Sequence, residues 1–330
     1  VKEEEIRQRS VLNRYLELVA EDVRTIFKDR SLFSPVDCPA CGGGNHELQF
    51  EKLGFSYVLC KDCGTLFVNP RPPAELLMDY YTDSPSATFW VNSFFKPVAE
   101  VRREKIFRPR AEFVRDEFPQ ISGGVIGDIG AGFGIFLEEL GKFWPDARLT
   151  AIEPSGEMAD ICRDKGLEVI HCGIEDITGR NGTFDLLTSF ELMEHLHTPA
   201  DGIRKALSLL KPGGYLMLTT LNGEGFDIQI LWEKSKSVTP PHHINFFNPG
   251  SLALLLEKCG FTVVKTDTPG QLDWDIVEGV YRNENTDPGR LWRTFAERAT
   301  PAAKESLQDW ITKSGFSSHM RTIARKPTGR

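Results

Sequence analysis

Val125-Ile126-Gly127-Asp128-Ile129-Gly130-Ala131-Gly132-Phe133-Gly134 decides the fold. An apolar strand, VIGDIG at 125–130, runs into a glycine-rich turn that opens a helix over 134–143. Glycine there tightens the turn and lets a ligand approach the backbone. Working outward, strands and helices alternate. The apolar runs predict strands at 147–154, 167–172, 184–190, 215–221 and 261–267, and helices at 156–165, 200–210 and 249–259. Two helical stretches follow over 270–316, reading as a lid, and a last strand over 317–326 rejoins the sheet. Such alternation builds an α/β fold, a Rossmann-like parallel sheet with helices on both faces, and ligands sit at the carboxyl ends of its strands.

Upstream lies a different kind of signal. Cys38-Pro-Ala-Cys41 and Cys60-Lys-Asp-Cys63 give the spacing C-x2-C-x18-C-x2-C, with glycine after each pair at Gly42, Gly43 and Gly64. Two such knuckles complete a tetrahedral thiolate shell with no open position, so the pattern predicts a structural zinc ion and a small zinc ribbon. A module of this size cannot build a sufficient core, so its metal supplies folding energy. Its role is open at this point between acceptor recognition, support of a lid and a dimer contact. Residues 70–95, rich in proline and aromatics, read as a linker with a short helix, and 97–118 as a helix entering the main domain. Residues 3–29 read as a helix, with Leu12, Leu16, Val19, Val23 and Ile26 forming a stripe that either docks on its own domain or zips a homodimer. The resulting partition is an N-terminal helix at 1–33, the ribbon at 34–70, a helical linker or lid at 71–120, the core at 121–268, and a lid insertion with the last strand at 269–330.

Acidic residues sit where a nucleoside would need them. Glu153 ends the second strand, placed for two ribose hydroxyls, with Pro154 beside it. Glu175 and Asp176 follow the third strand, in reach of an adenine amino group. Ile135 stands where a dinucleotide fingerprint requires glycine, and no Walker lysine follows the turn. The turn, the acidic Ala151-Ile152-Glu153-Pro154, Phe184–Leu196 and Leu210–Asn222 together resemble class I S-adenosylmethionine-dependent methyltransferases over residues 121–268. The resemblance implies S-adenosyl-L-methionine as cofactor. It implies that Asp128, Gly130, Ala131, Gly132 and Gly134 hold its methionine part, Glu153 and Pro154 its ribose, and Ile174, Glu175 and Asp176 its adenine. Phe190 would lie beside the sulfonium.

Phe190-Glu191-Leu192-Met193-Glu194-His195-Leu196 and Thr220-Leu221-Asn222 are similar to segments of ubiquinone-biosynthesis O-methyltransferases. That resemblance implies a divalent cation at Glu191, Glu194 and His195, able to lower the pKa of an acceptor hydroxyl. His195, with Glu194, reads equally as a general base, since imidazole titrates near neutrality, or as a brace for the loop. Pro240-Pro241-His242-His243-Ile244-Asn245-Phe246-Phe247 offers two histidines for an acceptor or for bonds within the loop. Tyr80, Tyr81, Phe89 and Trp90 form an opposing wall or pack the linker.

Composition narrows the substrate. Hydrophobic residues make up 40%, charged residues 26%, and the formal net charge is −8. An acidic chain disfavours nucleic acid, which needs a concentrated basic face, although Arg102, Arg103, Lys105, Arg108 and Arg110 cluster in sequence. No apolar run reaches the roughly 18 residues of a membrane span, and the charged start shows no signal peptide. The scattered Cys162, Cys172 and Cys259 suit a reducing cytoplasm. A zinc ribbon joined to such a core resembles enzymes that methylate sugars or other small metabolites of polysaccharide or natural-product pathways. It also resembles ribosomal RNA methyltransferases. The expectation is methyl transfer to a hydroxyl of a sugar, sugar nucleotide or related metabolite. RNA methylation is one alternative and a non-catalytic cofactor-binding partner protein is another.

Overall fold

A computed structural model describes residues 3–6, 8–284 and 286–329. Arg7 and Asn285, inside the expected helical stretches, lie outside the described residues. The chain divides into two compact units. The first comprises Val1–Phe94, Thr220–Leu252 and Thr266–Arg321, and the second Phe95–Thr219, Ala253–Lys265 and Thr322–Arg330.

Strands are numbered along the chain. In the first unit β1 (His46–Lys52), β2 (Phe55–Cys60), β3 (Leu66–Val68) and β9 (Asn245–Phe246) form a sheet in the order β1-β2-β3-β9. Its pairings are antiparallel, with Tyr57 opposite Val68 and Leu66 opposite Phe246. The helix Arg9–Ile26 buries Leu12, Tyr15, Val19 and Val23 at helical spacing. They join Phe55, Tyr57, Leu66, Tyr80, Ile244 and Phe246 in one core, with Leu16 and Ile26 packed against it. The apolar stripe of this helix is thus spent on its own unit. A separate cluster of Phe226, Leu231, Trp274, Val277, Val280, Ala296 and Ile311 holds the helices of 273–313.

The second unit carries most of a seven-stranded sheet. Its members are β4 (Val125–Ile129), β5 (Arg148–Ile152), β6 (Glu168–Ile170), β7 (Phe184–Phe190), β8 (Leu210–Leu221), β10 (Thr262–Asp267) and β11 (His319–Arg325), in the order β10-β11-β8-β7-β4-β5-β6. β4 pairs in parallel with β5 on one side and β7 on the other. The chain therefore leaves β4 toward β5 and β6, then returns to the far side of β4. That reversal opens a crevice at the carboxyl ends of β4 and β7, the place where such sheets bind ligands. β4 is buried at every residue. Ile126, Phe136, Leu137, Leu140, Ala151, Leu186 and Met217 pack the core around it.

Two expectations for local structure need correction. Residues 70–95 are not a linker with one short helix: helices occupy Ala74–Asp83 and Pro85–Phe89, and a wider helical turn follows over Trp90–Phe95. Two of the prolines that suggested irregular chain stand at helix starts. Pro73 precedes Ala74–Asp83, and Pro85 opens the next helix. Proline costs nothing there, because its missing N–H would have no intrahelical partner. Residues 270–316 hold three helices rather than two: Asp273–Glu284, Arg290–Arg298 and Pro301–Lys313. The extra break falls at Thr300, whose side chain accepts from the Ala303 amide and caps the last helix.

Candidate active site

At the end of β4 the backbone turns through left-handed conformations at Gly130, Gly132 and Gly134, with φ of 72°, 54° and 66°. The three glycines serve different ends. A Cβ on Gly132 would find only Met158 Sδ, at 4.0 Å, so this part of the turn keeps an open cradle. A Cβ on Gly134 would lie 2.7 Å from Leu167 and 3.0 Å from Cys162 Sγ, so Gly134 answers to packing. Glu153 closes the turn from β5. It is 5% exposed, and its carboxylate accepts from the Gly132 amide at 2.8 Å and the Ser155 amide at 2.9 Å. Burial pushes this carboxyl up, and the two amides pull it back.

Asp128 lies one residue before the end of β4 and is 2% exposed. Burial lifts its carboxyl to about 7. The Thr188 hydroxyl donates to it at 2.7 Å, and nearby Arg110 also favours its charged form. Pro154 offers a carbonyl that His171 approaches at 3.1 Å. Ile174 is buried in a short helical turn, Ile174–Asp176, while Glu175 and Asp176 are exposed.

Phe190 ends β7 and packs against Phe136 with ring centroids 4.7 Å apart. Glu191 follows with a left-handed φ of 53°, a costly conformation for a residue with a Cβ. Its carboxylate accepts from Arg110 at 3.0 Å and from the Thr219 hydroxyl at 2.6 Å. The Arg110 guanidinium also lies over the Phe190 ring, 4.6 Å from its centroid. Glu194 is buried, at 1% exposure, and His195 is half-buried with its amide bonded to Leu192 O at 2.9 Å. An apolar pocket formed by Ile129, Ile174, Leu192, Met193, Ile203 and Leu218 adjoins this loop.

Arg110 is the residue that reading the sequence missed as an individual. It stood among five cations within nine residues, and only their partners separate them. Arg103 pairs with Glu138 at 3.0 Å and Glu139 at 2.8 Å, and Arg108 with Glu139 at 3.0 Å. Arg102 covers the Phe95 ring. Much of the sequence-level basic patch is thus spent on pairs inside the unit.

The first unit brings together the other candidates. The four cysteine sulfurs lie within 4.8 Å of one another, with Cys38–Cys63 and Cys41–Cys60 each at 3.5 Å. A disulfide would need about 2.05 Å, whereas a tetrahedron of Zn–S bonds near 2.3 Å has edges of about 3.8 Å. The donor set therefore fits a tetrahedral thiophilic ion. The Gly43 amide points at Cys41 Sγ from 3.3 Å, and the Thr65 hydroxyl stands 3.2 Å from Cys63 Sγ. Gly42 and Gly64, with φ of 71° and 73°, allow the two knuckles to turn.

His242 is enclosed by rings. Tyr81, Tyr80, Tyr15 and Trp90 have centroids 5.3, 6.0, 6.1 and 6.3 Å from its own. The Tyr15 hydroxyl is 3.4 Å from His242 Nδ1. Tyr81 donates to the His242 carbonyl at 2.8 Å and Tyr57 to the His243 carbonyl at 2.7 Å. His243 Nδ1 donates to Ser237 O at 2.6 Å, which fixes the orientation of its ring. Tyr80, Tyr81 and Trp90 are thus neighbours of His242, while Phe89 packs on the core of the unit.

A family model described as a methyltransferase domain matches residues 99–266. The ubiquinone biosynthesis O-methyltransferase of Xanthomonas euvesicatoria pv. vesicatoria is 30% identical over 176 residues, covering 49% of this chain and 72% of that protein. The protein of the same name from Vibrio parahaemolyticus is 27% identical over 181 residues, covering 51% and 74%. Among solved structures, a SAM-dependent methyltransferase from Archaeoglobus fulgidus superposes with a TM-score of 0.48 at 18% identity, covering 70% of this chain and all of that one. No helix among the described residues is long and apolar enough to cross a membrane.

Proposed function

Because the chain belongs to the class I S-adenosylmethionine-dependent methyltransferases, we propose that it methylates a hydroxyl of a small polar acceptor of the sugar, sugar-nucleotide or related metabolite kind. The observation that carries the cofactor assignment is Glu153, a buried carboxylate at the end of β5 that reaches back to the Gly132 amide of the open glycine turn. A carboxylate there accepts from both hydroxyls of a ribose. Asp128 takes the methionine amino group, which favours its ionised form. Arg110 braces this end of the site, its guanidinium over the Phe190 ring and paired with Glu191. Gly130, Ala131 and Gly132 present backbone to the ligand, and Ile174 gives the adenine an apolar face. When bound, the cofactor supplies an electrophilic methyl group on a sulfonium.

His195 removes the acceptor's hydroxyl proton, with Glu194 buried beside it in sequence to hold the loop. His242, in its ring of tyrosines and tryptophan, and His243 contact the acceptor. Aromatic faces and polar tips together suit a sugar-like ring. Most of the rate enhancement comes from orientation and exclusion of water. A divalent cation at Glu191, Glu194 and His195 is a weaker reading, because Glu191 already neutralises Arg110. The four cysteines hold a structural zinc ion, which cross-links the ribbon.

A small acceptor is favoured over RNA by the net charge of −8 and by the internal pairing of Arg103, Arg108 and Arg110. The relatives' printed name, an O-methyltransferase of ubiquinone biosynthesis, points the same way. The test is calorimetric titration with S-adenosylhomocysteine and with NAD. Labelled methyl transfer to a panel of sugar nucleotides and to ribosomal RNA follows. Binding of S-adenosylhomocysteine alone and label in a sugar nucleotide support the proposal; label in RNA transfers the function to the first alternative. Binding without turnover on any acceptor favours a non-catalytic partner protein.

A further inference from the structure

We propose that the four-cysteine ribbon is the template on which the histidine loop 239–248 is built, so that metal occupancy controls the acceptor side of the reaction and leaves cofactor binding alone. The inference rests on the reading of His242 and His243 as acceptor contacts.

The loop takes its strand pairing from the ribbon, although Phe247 also bridges Asn222, with the Gly223 amide on its carbonyl at 2.7 Å, and Tyr81 holds the His242 carbonyl. β9 is two residues long, and a ladder that short has no stability of its own. It exists as the fourth strand of the ribbon sheet, with Leu66 opposite Phe246 and Phe67 opposite Asn245. The Val68 amide donates to Ile244 O at 3.0 Å, extending the contact past the named strand. Beyond β9, Asn248 Nδ2 donates to the carbonyl of Cys63 itself, at 2.9 Å. The Asn248 side chain is held in place by the Ser251 amide, at 2.8 Å from its Oδ1. A Cβ on Gly64, the residue after Cys63, would stand 2.8 Å from Asn248 Nδ2, so knuckle and loop are in close contact.

Before β9, Tyr57 on β2 anchors the His243 carbonyl. Arg71, which is 2% exposed, ties the two segments together, donating to Val68 O at 3.1 Å and Asn245 Oδ1 at 2.5 Å. Asn248, Tyr57 and Arg71 are positioning residues. None is aimed at a reacting atom; each fixes the backbone that carries the histidines.

The ribbon in turn depends on its sulfurs. β2 ends at Cys60, and β3 begins only three residues after Cys63. The knuckle is closed by the Gly64 amide on Cys60 O and the Cys60 amide on Thr65 O, both at 2.9 Å. Without a metal to hold the cysteines, a module this small loses its folding energy. β3 then loses its register, and β9 loses the edge on which it forms. The cofactor candidates Asp128, Glu153, Ile174 and Phe190 belong to the parallel sheet and its loops, whose register is set by β4, β5 and β7.

The experiment uses the full-length, metal-loaded protein, with the metal stripped by a chelator under reducing conditions and then restored as zinc. Hydrogen exchange is followed at the amides of 242–248 and of β4, and the imidazole signals of His242 and His243 are followed by NMR. S-adenosylhomocysteine is titrated in each state. Stripping is expected to raise exchange at 242–248 about tenfold or more, the signature of local rather than global opening. Both histidine signals should move, with exchange in β4 and the S-adenosylhomocysteine Kd unchanged, and zinc should restore the starting spectra. Should the stripped chain precipitate, Asn248→Ala decides, since it retains all four cysteines. It is expected to keep its zinc and its cofactor affinity while shifting the histidine signals in the same direction. Unchanged protection at 242–248 after metal loss overturns the proposal. So does a cofactor affinity that falls in step with loop protection. A loaded protein that fails to bind S-adenosylhomocysteine defeats the methyltransferase-site assignment instead, and the exchange result still judges the template.

Discussion

β4 and β3 are both buried at every residue, yet they are held in different ways. β4 has five residues and two parallel neighbours that arrive within the next sixty-odd residues of chain, each part of a regular strand–helix alternation. β3 has three residues and takes one of its neighbours from β9, which returns from residue 245 after the whole parallel sheet has been started. The first strand is specified by its own apolar character and by a repeating local pattern. The second is specified by four sulfurs and by a segment remote in sequence. The parallel sheet therefore takes its order from a core built of successive local units, whereas the ribbon strands share their core with helix Arg9–Ile26 and with β9, segments remote from them in sequence.

Chelation of the metal presses hardest on that difference. Structural zinc contributes apparent free energies of roughly 10 kcal/mol or more in small modules. Two thermal transitions are expected after stripping, a low one for the ribbon and an unchanged one for the parallel sheet. A single lowered transition in calorimetry would break the comparison. Next in size, His195→Ala is expected to lower kcat by about a hundredfold to ten-thousandfold while the S-adenosylhomocysteine Kd stays within a factor of about three. Unaltered turnover would make His195 a brace for its loop.

Asp128 sharpens the comparison through pH. Burial lifts its carboxyl to about 7, above the ordinary value of 3.8. The folded state therefore binds an extra proton between those values. This group's effect is to lower stability as pH rises from about 4 to about 7, with the cost fully developed above that, on the order of 4 kcal/mol. Asp128→Asn should flatten that slope in denaturation measured across the window, and only for the parallel-sheet unit. A slope identical in the variant would assign the pH dependence elsewhere.

Glu153→Ala is expected to weaken S-adenosylhomocysteine about a hundredfold, the loss of two charged hydrogen bonds, with metal content unaffected; calorimetry with unaltered affinity would remove Glu153 from the ribose site. The smallest effect is expected for Gly64→Ala. A Cβ there meets Asn248 Nδ2 at 2.8 Å on a backbone with φ of 73°, costing about 1–2 kcal/mol, visible as a lowered midpoint for the ribbon alone.

Much of the parallel sheet was legible because its signals are local. A buried strand, a glycine turn and an acid at the end of the next strand lie within thirty residues and need no knowledge of partners. The cysteine pairs were legible for the same reason, since each C-x2-C pair with its glycine is a pattern of a few adjacent residues. The prolines of 70–95 misled because proline marks a helix start as readily as a loop, and only the flanking pattern distinguishes them. Arg110 was hidden among Arg102, Arg103, Lys105 and Arg108, because charge is visible in a sequence and the partner that spends it is not.

From its residues alone, then, this chain determined an α/β sheet of the methyltransferase kind, a glycine-rich turn with the acidic Glu153 behind it, and a four-thiol ribbon. Each follows from backbone periodicity, glycine geometry or ligand spacing. Tertiary structure decided that β9 belongs to the ribbon, that Tyr15, Tyr80, Tyr81 and Trp90 surround His242, and that Arg110 answers Glu191 while Arg103 and Arg108 answer Glu139. These pairings join residues tens to hundreds of positions apart. Their free energy is released only when the fold brings the partners within contact, so no local pattern in the sequence records them.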